Sequence, residues 1–424
     1  MTAPTSPGPS LQRRLGTFDA VVIGLGSMIG AGIFAAFAPA AAAAGGGLLL
    51  GLVLAGVIAF CNATSSAQLA AVYPTSGGTY VYGRERLGEW PGFLAGWGFV
   101  VGKTASCAAM ALTFAAYVAP VQWQKPLAVA AVLVVAGVNY LGVTRTAGMA
   151  RVIVAFVLVA LVVVVVAGLT SGGGGGLSLA PGSGGWYGVL QSAGLLFFAF
   201  AGYARIATMG EEVRDPRRTI PRAITIALGI VLVLYATVAV TALLTLGADR
   251  LAASRAPLLD VARASGWAWA APLVVAGAAA AALGALLALM AGIGRTSLAM
   301  ARNGDLPRAL AAVHPRFAVP HRAELLLALV VSVLVLATDL RGAIGFSSFG
   351  VLLYYAVANA SALTQPAANR RYPKLLQVLG LAGCLLLVAT LPPASVVAGV
   401  AVFAAGIAYR LVQLRVAGHR GAGI

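Results

Sequence analysis

The sequence predicts an all-α, polytopic membrane protein of about twelve transmembrane helices, and three observations support this class. Of its 424 residues, 60% are hydrophobic and only 9% are charged. The mean hydropathy is +0.95, whereas a water-soluble chain carries charge on roughly a quarter of its residues. The charged residues also occur in short clusters between long apolar runs. Lipid is therefore the solvent for most of this chain.

Each long apolar run has the length of a membrane span, since a spanning helix needs about 20 mainly apolar residues. The fifth run is rich in β-branched residues from Val152 to Val166, but its length predicts a membrane helix and not a strand. The predicted spans are 18–43, 47–71, 92–119, 126–143, 149–169, 186–210, 223–247, 267–300, 323–339, 343–364, 375–391 and 394–411.

The distribution of Lys and Arg between these spans predicts the orientation, because cytoplasmic loops carry an excess of both residues. Of the 28 Lys and Arg residues, 21 fall in the segments on the same side as the N-terminus or in the span ends next to them. Five lie on the opposite side, and two, Lys103 and Arg205, lie deeper within spans. We therefore expect a protein of the cytoplasmic membrane with both termini in the cytoplasm.

Composition also disfavours several other classes of protein. The net charge of +17 lies in loops that orient the spans, so no nucleic-acid partner is expected. Cys61, Cys107 and Cys384 fall in apolar segments without CxxC spacing, which predicts neither a metal site nor a disulfide. No HExxH or GxSxG occurs, and no Asp, Glu or His falls deep in a predicted span. We expect no catalytic residues, no cofactor and no obligate protein partner.

Glycine interrupts two spans at matching places. The first span contains Gly30-Ala31-Gly32, and the sixth contains Gly202 within Phe197–Tyr203. The two lie five spans apart, as expected for inverted repeats that build a site from broken helices. The predicted organisation is a disordered cytoplasmic tail (1–17), a ten-helix core of two repeats (18–170 and 186–364), and two further helices with a short tail (365–424).

A helix opened at mid-membrane exposes amides where its second half begins and carbonyls where its first half ends. The amides and the helix dipole suit a carboxylate, and the carbonyls suit an ammonium group. Glycine lets the backbone approach a ligand without a Cβ in the way. The alternative is close helix packing through small residues, which is common in membranes and equally compatible with glycine here.

Four segments resemble the amino acid–polyamine–organocation (APC) superfamily of permeases. The likeness extends in the same order over residues 17–415, and the four segments together are more specific than any of them alone. The segments are Ser27–Phe34 (SMIGAGIF), Tyr73–Tyr82 (YPTSGGTYVY), Phe198–Pro221, and Met300–Pro307 (MARNGDLP).

This resemblance implies a LeuT-like core of ten helices in two inverted repeats, with two extra C-terminal helices. It also implies that amides near Ala31 and Gly32 hold the substrate carboxylate, and that carbonyls near Met28, Phe198 and Ala201 take the amino group. The aromatic ring of Phe198 is expected to close over the ligand. The substrate-binding residues expected on these grounds are Met28, Ile29, Gly30, Ala31, Gly32, Phe198, Ala201 and Gly202.

Departures from the family pattern concern ion coupling. Some members carry a lysine in the fifth helix where sodium otherwise binds, whereas this chain has Ala155–Leu158 there. Some have a carboxylate after the sixth-helix break, where this chain has Ala204. The eighth span lacks Ser and Thr between Gly277 and Gly294. These departures disfavour sodium coupling and leave proton symport and exchange open.

Two charged side chains fall deep in the predicted spans. A charge at that depth is costly and usually indicates a functional role. Lys103, near the midplane of the third span, is a candidate for proton coupling or for contact with the substrate. The alternative is a structural hydrogen bond to carbonyls of an opened helix. Arg205 cannot release a proton, and we expect it to pair with Glu211 or Glu212 in a cytoplasmic gate.

The sequence therefore predicts a secondary transporter that moves amino acids across the cytoplasmic membrane by alternating access. The lack of carboxylates deep in the spans favours neutral amino acids, because a cationic substrate needs a counter-charge. The expected partners are the small-molecule substrate and the lipid bilayer. A permease for amines or other organic cations, and a nutrient sensor on the same fold, are the alternatives.

Overall fold

The computed structural model describes residues 15–74, 77–142, 147–171, 174–210 and 212–421. Within these ranges the secondary structure is helical, apart from connecting turns and one isolated β-bridge between Leu15 and Val213. Ten helices of this described part are long and apolar enough to cross a membrane. The prediction of an all-α polytopic membrane protein is confirmed. The count of about twelve spans and the inverted repeat stay predictions.

The helices of the N-terminal part begin with a span that is divided into pieces. The first predicted span, 18–43, corresponds to three consecutive helices, α1 to α3, because the backbone leaves helical geometry at Gly30 and a turn at Ala36, whose dihedral angles stay helical, separates α2 from α3. The helices are α1 Thr17–Met28, α2 Ala31–Ala35, α3 Phe37–Ala44, α4 Leu48–Val72, α5 Thr79–Leu87, α6 Glu89–Val118, α7 Val121–Tyr140 and α8 Ala147–Thr170.

The helices of the C-terminal part begin with a second divided span. A 3-10 turn, Ala201–Tyr203, separates α9 from α10. The helices are α9 Gly185–Phe200, α10 Ala204–Ala207, α11 Pro216–Ala253, α12 Pro257–Ala264, α13 Ala271–Arg302, α14 His321–Ala337, α15 Leu340–Leu363, α16 Lys374–Thr390 and α17 Pro393–Gly421.

Two of the predicted spans are shorter in the structure than the others. The ninth and eleventh correspond to α14 and α16, each of 17 residues. A helix of that length rises about 25 Å at 1.5 Å per residue, which is at the lower limit for crossing the hydrocarbon core of a bilayer.

The core of the molecule lies where α6 packs against α13 and α15, and where α4 packs against α9 and α11. Tyrosines and phenylalanines from the two interrupted spans and their neighbours are fully buried there. On the outer helices apolar residues are exposed instead, such as Val152 on α8 at 70% and Val397 on α17 at 69%. An exposed apolar surface of this kind is what a helix presents to lipid.

The predicted N-terminal tail, 1–17, is described only from Leu15 onward, and residues 1–14 lie outside the described part. Leu15 pairs with the segment after α10: its amide donates to the Glu212 carbonyl at 3.2 Å, and its carbonyl accepts from Arg214 at 2.9 Å. Thr17 begins α1. The last residues of the predicted tail are therefore held against the chain.

Candidate functional site

The first helix is interrupted at Ile29 and Gly30, between α1 and α2. Gly30 has φ −66° and ψ −140°, outside the helical region, and α2 begins at the next residue. A Cβ at position 30 would lie 2.8 Å from the Cβ of Ala285 on α13 and 3.3 Å from the sulfur of Met110 on α6. The first break therefore faces α6 and α13 at a distance that only glycine permits.

The sixth helix is interrupted by the 3-10 turn Ala201–Tyr203. The backbone stays close to helical values there, with φ −63° and ψ −2° at Ala201, so the second break is a tightened turn and not an open gap. Phe198, in the last turn of α9, is buried, and it packs in an apolar cluster with residues of α6, α13 and α15. Its ring lies on the same side of the bundle as Gly30, Met110 and Ala285.

The two breaks touch each other through glycine. A Cβ at Gly202 would lie 2.4 Å from the Ser27 carbonyl oxygen and 2.7 Å from the Met28 amide nitrogen. A Cβ at Gly32 would lie 2.6 Å from the Cβ of Ala199. Each glycine thus allows one interrupted helix to lie against the backbone of the other. The predicted residues of the two spans are brought together in the interior of the molecule.

Protein side chains already donate to the carbonyls at the breaks. The Tyr235 hydroxyl of α11 lies within hydrogen-bond distance of two carbonyls, Met28 in a short contact and Ala199 at 3.0 Å, and its single proton is shared between them. The Ala201 carbonyl accepts from Tyr355 of α15 at 3.3 Å. Sequence reasoning missed Tyr235, because a tyrosine in an apolar span is most often a packing residue.

Lys103 also donates to the second break. Its side chain is only 5% exposed, and its ammonium nitrogen lies 3.2 Å from the Ala201 carbonyl oxygen. This hydrogen bond is the contact that the structural alternative anticipated. It places the lysine nitrogen at a carbonyl that the family resemblance assigns to the substrate's amino group.

Arg205 forms an ion pair with Glu212, one of the two partners predicted for it, and the gate to which the sequence assigns this pair stays a prediction. The guanidinium lies 3.2 Å from the Glu212 carboxylate and 3.3 Å from the Thr208 hydroxyl. Glu211, the other predicted partner, lies outside the described residues. An ion pair between Asp19 and Arg151 joins α1 to α8 near the same end of the bundle.

A buried ionic cluster connects two of the four family-like segments. Asp305 accepts hydrogen bonds from Tyr80 at 2.7 Å and Arg84 at 2.9 Å, and it forms a short ion pair with Arg410 of α17. Burial and the hydrogen bond to Asp305 raise the pKa of Tyr80 to about 12. The guanidinium of Arg410 also lies 4.7 Å from the ring centre of Phe93. The Tyr73–Tyr82 and Met300–Pro307 segments therefore meet around one carboxylate.

One buried carboxylate was not recognised in the sequence. Glu324 is the second residue of the ninth predicted span. Because it lies at the edge of that span, the sequence alone does not place it among residues deep in the membrane. In the structure it lies in the first turn of α14 and is 4% exposed. Its Oε2 atom has no hydrogen-bond partner among the described residues.

A small cavity lies between α1, α8 and α13, and the residues around it determine whether it can bind a cation. The residues around it are all aliphatic or glycine, so none of their side chains offers an oxygen ligand. They are Gly26, Ile29, Ile153, Val154, Val157 and Ala281.

Interrupted helices that meet inside a polytopic bundle are the architecture of secondary transporters. The chain belongs to the amino acid permease family, whose model matches residues 15–413. The resemblance to the APC permeases is confirmed.

Two relatives whose names specify a substrate are more distant from this chain than one whose name does not. The chain is 62% identical over 400 residues to an uncharacterized transporter of Mycobacterium tuberculosis, an alignment that covers 94% of this chain and 90% of the relative. It is 30% identical to the chloroplastic cationic amino acid transporter 7 of Arabidopsis thaliana, covering 83% of this chain and 65% of the relative. It is 27% identical to the branched-chain amino acid permease BcaP of Bacillus subtilis, covering 76% and 74%. These relatives are transporters and not enzymes.

Proposed function

We propose that this permease carries neutral amino acids across the cytoplasmic membrane by alternating access, as a proton symporter or an exchanger. The observation that supports the proposal most directly is the contact between the two breaks, at Gly32 with Ala199 and at Gly202 with Ser27. Discontinuous helices that touch inside a transporter form its substrate site. Family membership makes an amino acid the substrate class.

In the proposed site the amides of Ala31 and Gly32 hold the substrate carboxylate, with Ile29 and Gly30 shaping the first break. The amino group lies toward the carbonyls of Met28, Phe198 and Ala201, and Gly202 keeps the second break close. The Phe198 ring closes over the bound substrate. A helix start favours an anion and backbone carbonyl oxygens favour a cation, so the polarity of an α-amino acid matches this arrangement.

The charge of Lys103 favours neutral over cationic substrates. Its ammonium group lies at the Ala201 carbonyl, and the described residues place no ion-pairing carboxylate on it. A buried positive charge repels a second cation strongly, because the protein interior screens charge poorly. The name of the Bacillus subtilis relative specifies branched-chain substrates, which are neutral, whereas the name of the plant relative specifies cationic ones. Substrate contact is therefore the role proposed for Lys103.

We further propose that sodium does not drive transport. The aliphatic cavity between α1, α8 and α13 lies between the helices that contribute to the sodium site in related permeases. Its side chains provide no oxygen ligand, and oxygen is what a hard cation requires. The driving force is then a proton gradient or exchange with a second substrate.

The proposed organisation keeps the two repeats, 18–170 and 186–364, and the added helices of 365–424. Both termini lie in the cytoplasm, which the 21-to-5 distribution of Lys and Arg supports. The pair Arg205–Glu212 then lies on the cytoplasmic side and closes the inner gate between transport steps.

The test is uptake of labelled amino acids into proteoliposomes that contain the purified protein. Counterflow into vesicles loaded with unlabelled amino acid measures exchange, and accumulation with and without an inward proton gradient measures coupling. We expect saturable counterflow of neutral amino acids and weak counterflow of lysine and arginine. Preferential uptake of arginine or of a simple amine would contradict the neutral assignment. Absence of counterflow with specific binding retained would favour a sensor.

A further inference from the structure

Glu324 occupies an unusual place in the fold, at the cytoplasmic end of α14 in the proposed orientation. Its side chain lies against Gly294 of α13: a Cβ at position 294 would be 3.4 Å from the Glu324 Cγ and 3.6 Å from its Oε1. The carboxylate is thus buried between two helices.

The surroundings of this carboxylate are compatible with both of its protonation states. Burial away from water disfavours the ionised form, and Oε2 has no hydrogen-bond donor among the described residues to offset that cost. The N-terminal turn of α14 and the charge of Arg295 favour the ionised form. Arg295 acts across a gap, because the described chain shows no ion pair within 4.0 Å between the two residues.

Arg295 links Glu324 to the cytoplasmic gate. It also interacts electrostatically with Arg205 and Glu212, the two residues of the gate. These four side chains carry two positive and two negative charges when both carboxylates are ionised. A proton on Glu324 leaves Glu212 as the sole anion for two mutually repelling guanidinium groups.

We propose that Glu324 is a proton-binding site that controls the cytoplasmic gate through Arg295. Ionised Glu324 neutralises Arg295, so Arg205 keeps Glu212 and the gate stays closed. Protonated Glu324 leaves Arg295 to compete for Glu212, which weakens the closed gate. Release of the proton to the cytoplasm restores the pair. The proposal deepens the transport function and rests on it.

Other titratable groups at this end of α14 contact one another. His321 lies one turn before Glu324, and the ring of His314 lies 5.5 Å from both His321 and Tyr140 of α7. Further charged groups nearby are Arg322 on α14 itself, Arg308 in the short turn that packs against α14, and Arg316, whose amide donates to the His314 ring. Arg295 is the charged side chain whose electrostatic interaction with the Glu324 carboxylate is resolved. A histidine switch is therefore the alternative to exclude.

The experiment uses the full-length protein in proteoliposomes. Glu324→Gln keeps the shape of the side chain and removes its titration. We expect this variant to retain counterflow, to lose accumulation driven by an inward proton gradient, and to show an uptake rate independent of pH. Glu85→Gln, which alters an exposed acid on α5, serves as the matched control. His321→Asn is expected to accumulate substrate like the wild type.

Arg295→Gln provides an independent measurement if Glu324→Gln does not fold. Because Glu324 acts on the gate through Arg295, removing this cation should uncouple the gate from the protonation of Glu324, so the dependence of uptake on pH should be lost. The proposal is overturned if Glu324→Gln still concentrates substrate under the gradient, or if His321→Asn alone abolishes accumulation. Wild-type counterflow without any response to pH would overturn the proton site and leave the transport function intact. Lack of all counterflow would count against the transport function itself.

Discussion

Replacing Gly32 by alanine tests the contact between the two breaks. The new Cβ would lie 2.6 Å from the Ala199 Cβ and 2.7 Å from the Ala199 Cα, well inside normal van der Waals separation. Because one of these atoms belongs to the backbone, the side chain cannot simply rotate away. Overpacking of this kind costs about 1–3 kcal/mol. The cost falls on every conformation in which α2 and α9 touch.

The expected effect on substrate binding follows from that free energy. If the breaks touch only when substrate is enclosed, the whole cost appears in affinity, and a factor of ten per 1.4 kcal/mol gives a loss of about 5-fold to 150-fold. If they touch in every state, the cost appears as a lower melting temperature instead. Thermal melting of the purified protein, with and without the best substrate of the uptake panel, separates the two cases.

Two further variants make this test specific. Gly229→Ala is the matched control, because Gly229 lies in α11 with no atom within 4 Å of the added Cβ. Ala199→Gly combined with Gly32→Ala removes the nearer of the two clashing atoms and should restore part of the loss. Gly32→Leu should abolish binding. If Gly32→Ala melts and binds substrate like Gly229→Ala, the close approach of the two helices is not required and the reasoning fails.

Three other perturbations test separate parts of the structure. Asp305→Asn should destabilise the protein by at most about 3–5 kcal/mol, because Arg84 and the buried Arg410 lose their buried counter-charge and keep only the exposed Glu89. Asp215→Asn, at an exposed position, should leave the melting temperature unchanged. Lys103→Met should admit cationic amino acids to counterflow while gradient-driven accumulation persists, and loss of accumulation with exchange retained would instead make Lys103 the proton carrier. A cysteine at Gly174 should react with an impermeant maleimide from outside and one at Arg217 should not, since the three native cysteines are buried; the reverse pattern would overturn the orientation.

The spans and the breaks could be predicted because they depend on local properties of the sequence. Hydrophobic length defines a membrane helix wherever it lies in the fold, and glycines such as Gly30 and Gly202 mark where backbones approach closely. Even so, the pattern indicated two similar breaks, whereas the structure has non-helical geometry at Gly30 and a 3-10 turn at Ala201–Tyr203. Glycine content indicates close approach but does not determine the dihedral angles.

The hydrogen-bond donors at the breaks could not be predicted, because each comes from a distant part of the chain. Tyr235 is 207 residues from Met28, and Tyr355 is 154 residues from Ala201. The partners of Asp305 are similarly remote, with Arg410 105 residues away. Glu324 was missed for another reason: a single acid at the edge of a span is expected to be solvated, and its burial against α13 depends on tertiary packing.

The hydrogen bonds that the carbonyls at the two breaks already accept affect how a substrate amino group can bind there. A carbonyl oxygen has two lone pairs. Ala201 accepts from both Lys103 and Tyr355, so both of its lone pairs are engaged, whereas Met28 accepts from Tyr235 alone among the described residues. An arriving ammonium group can therefore join Tyr235 at Met28, but at Ala201 it must displace a donor. Displacing Lys103 leaves its ammonium group beside the site without this acceptor. The carboxylate of the bound substrate would then neutralise its charge. Under the proposed site, the lysine and the substrate's amino group exchange places at one oxygen, which links substrate selectivity to the charge of residue 103.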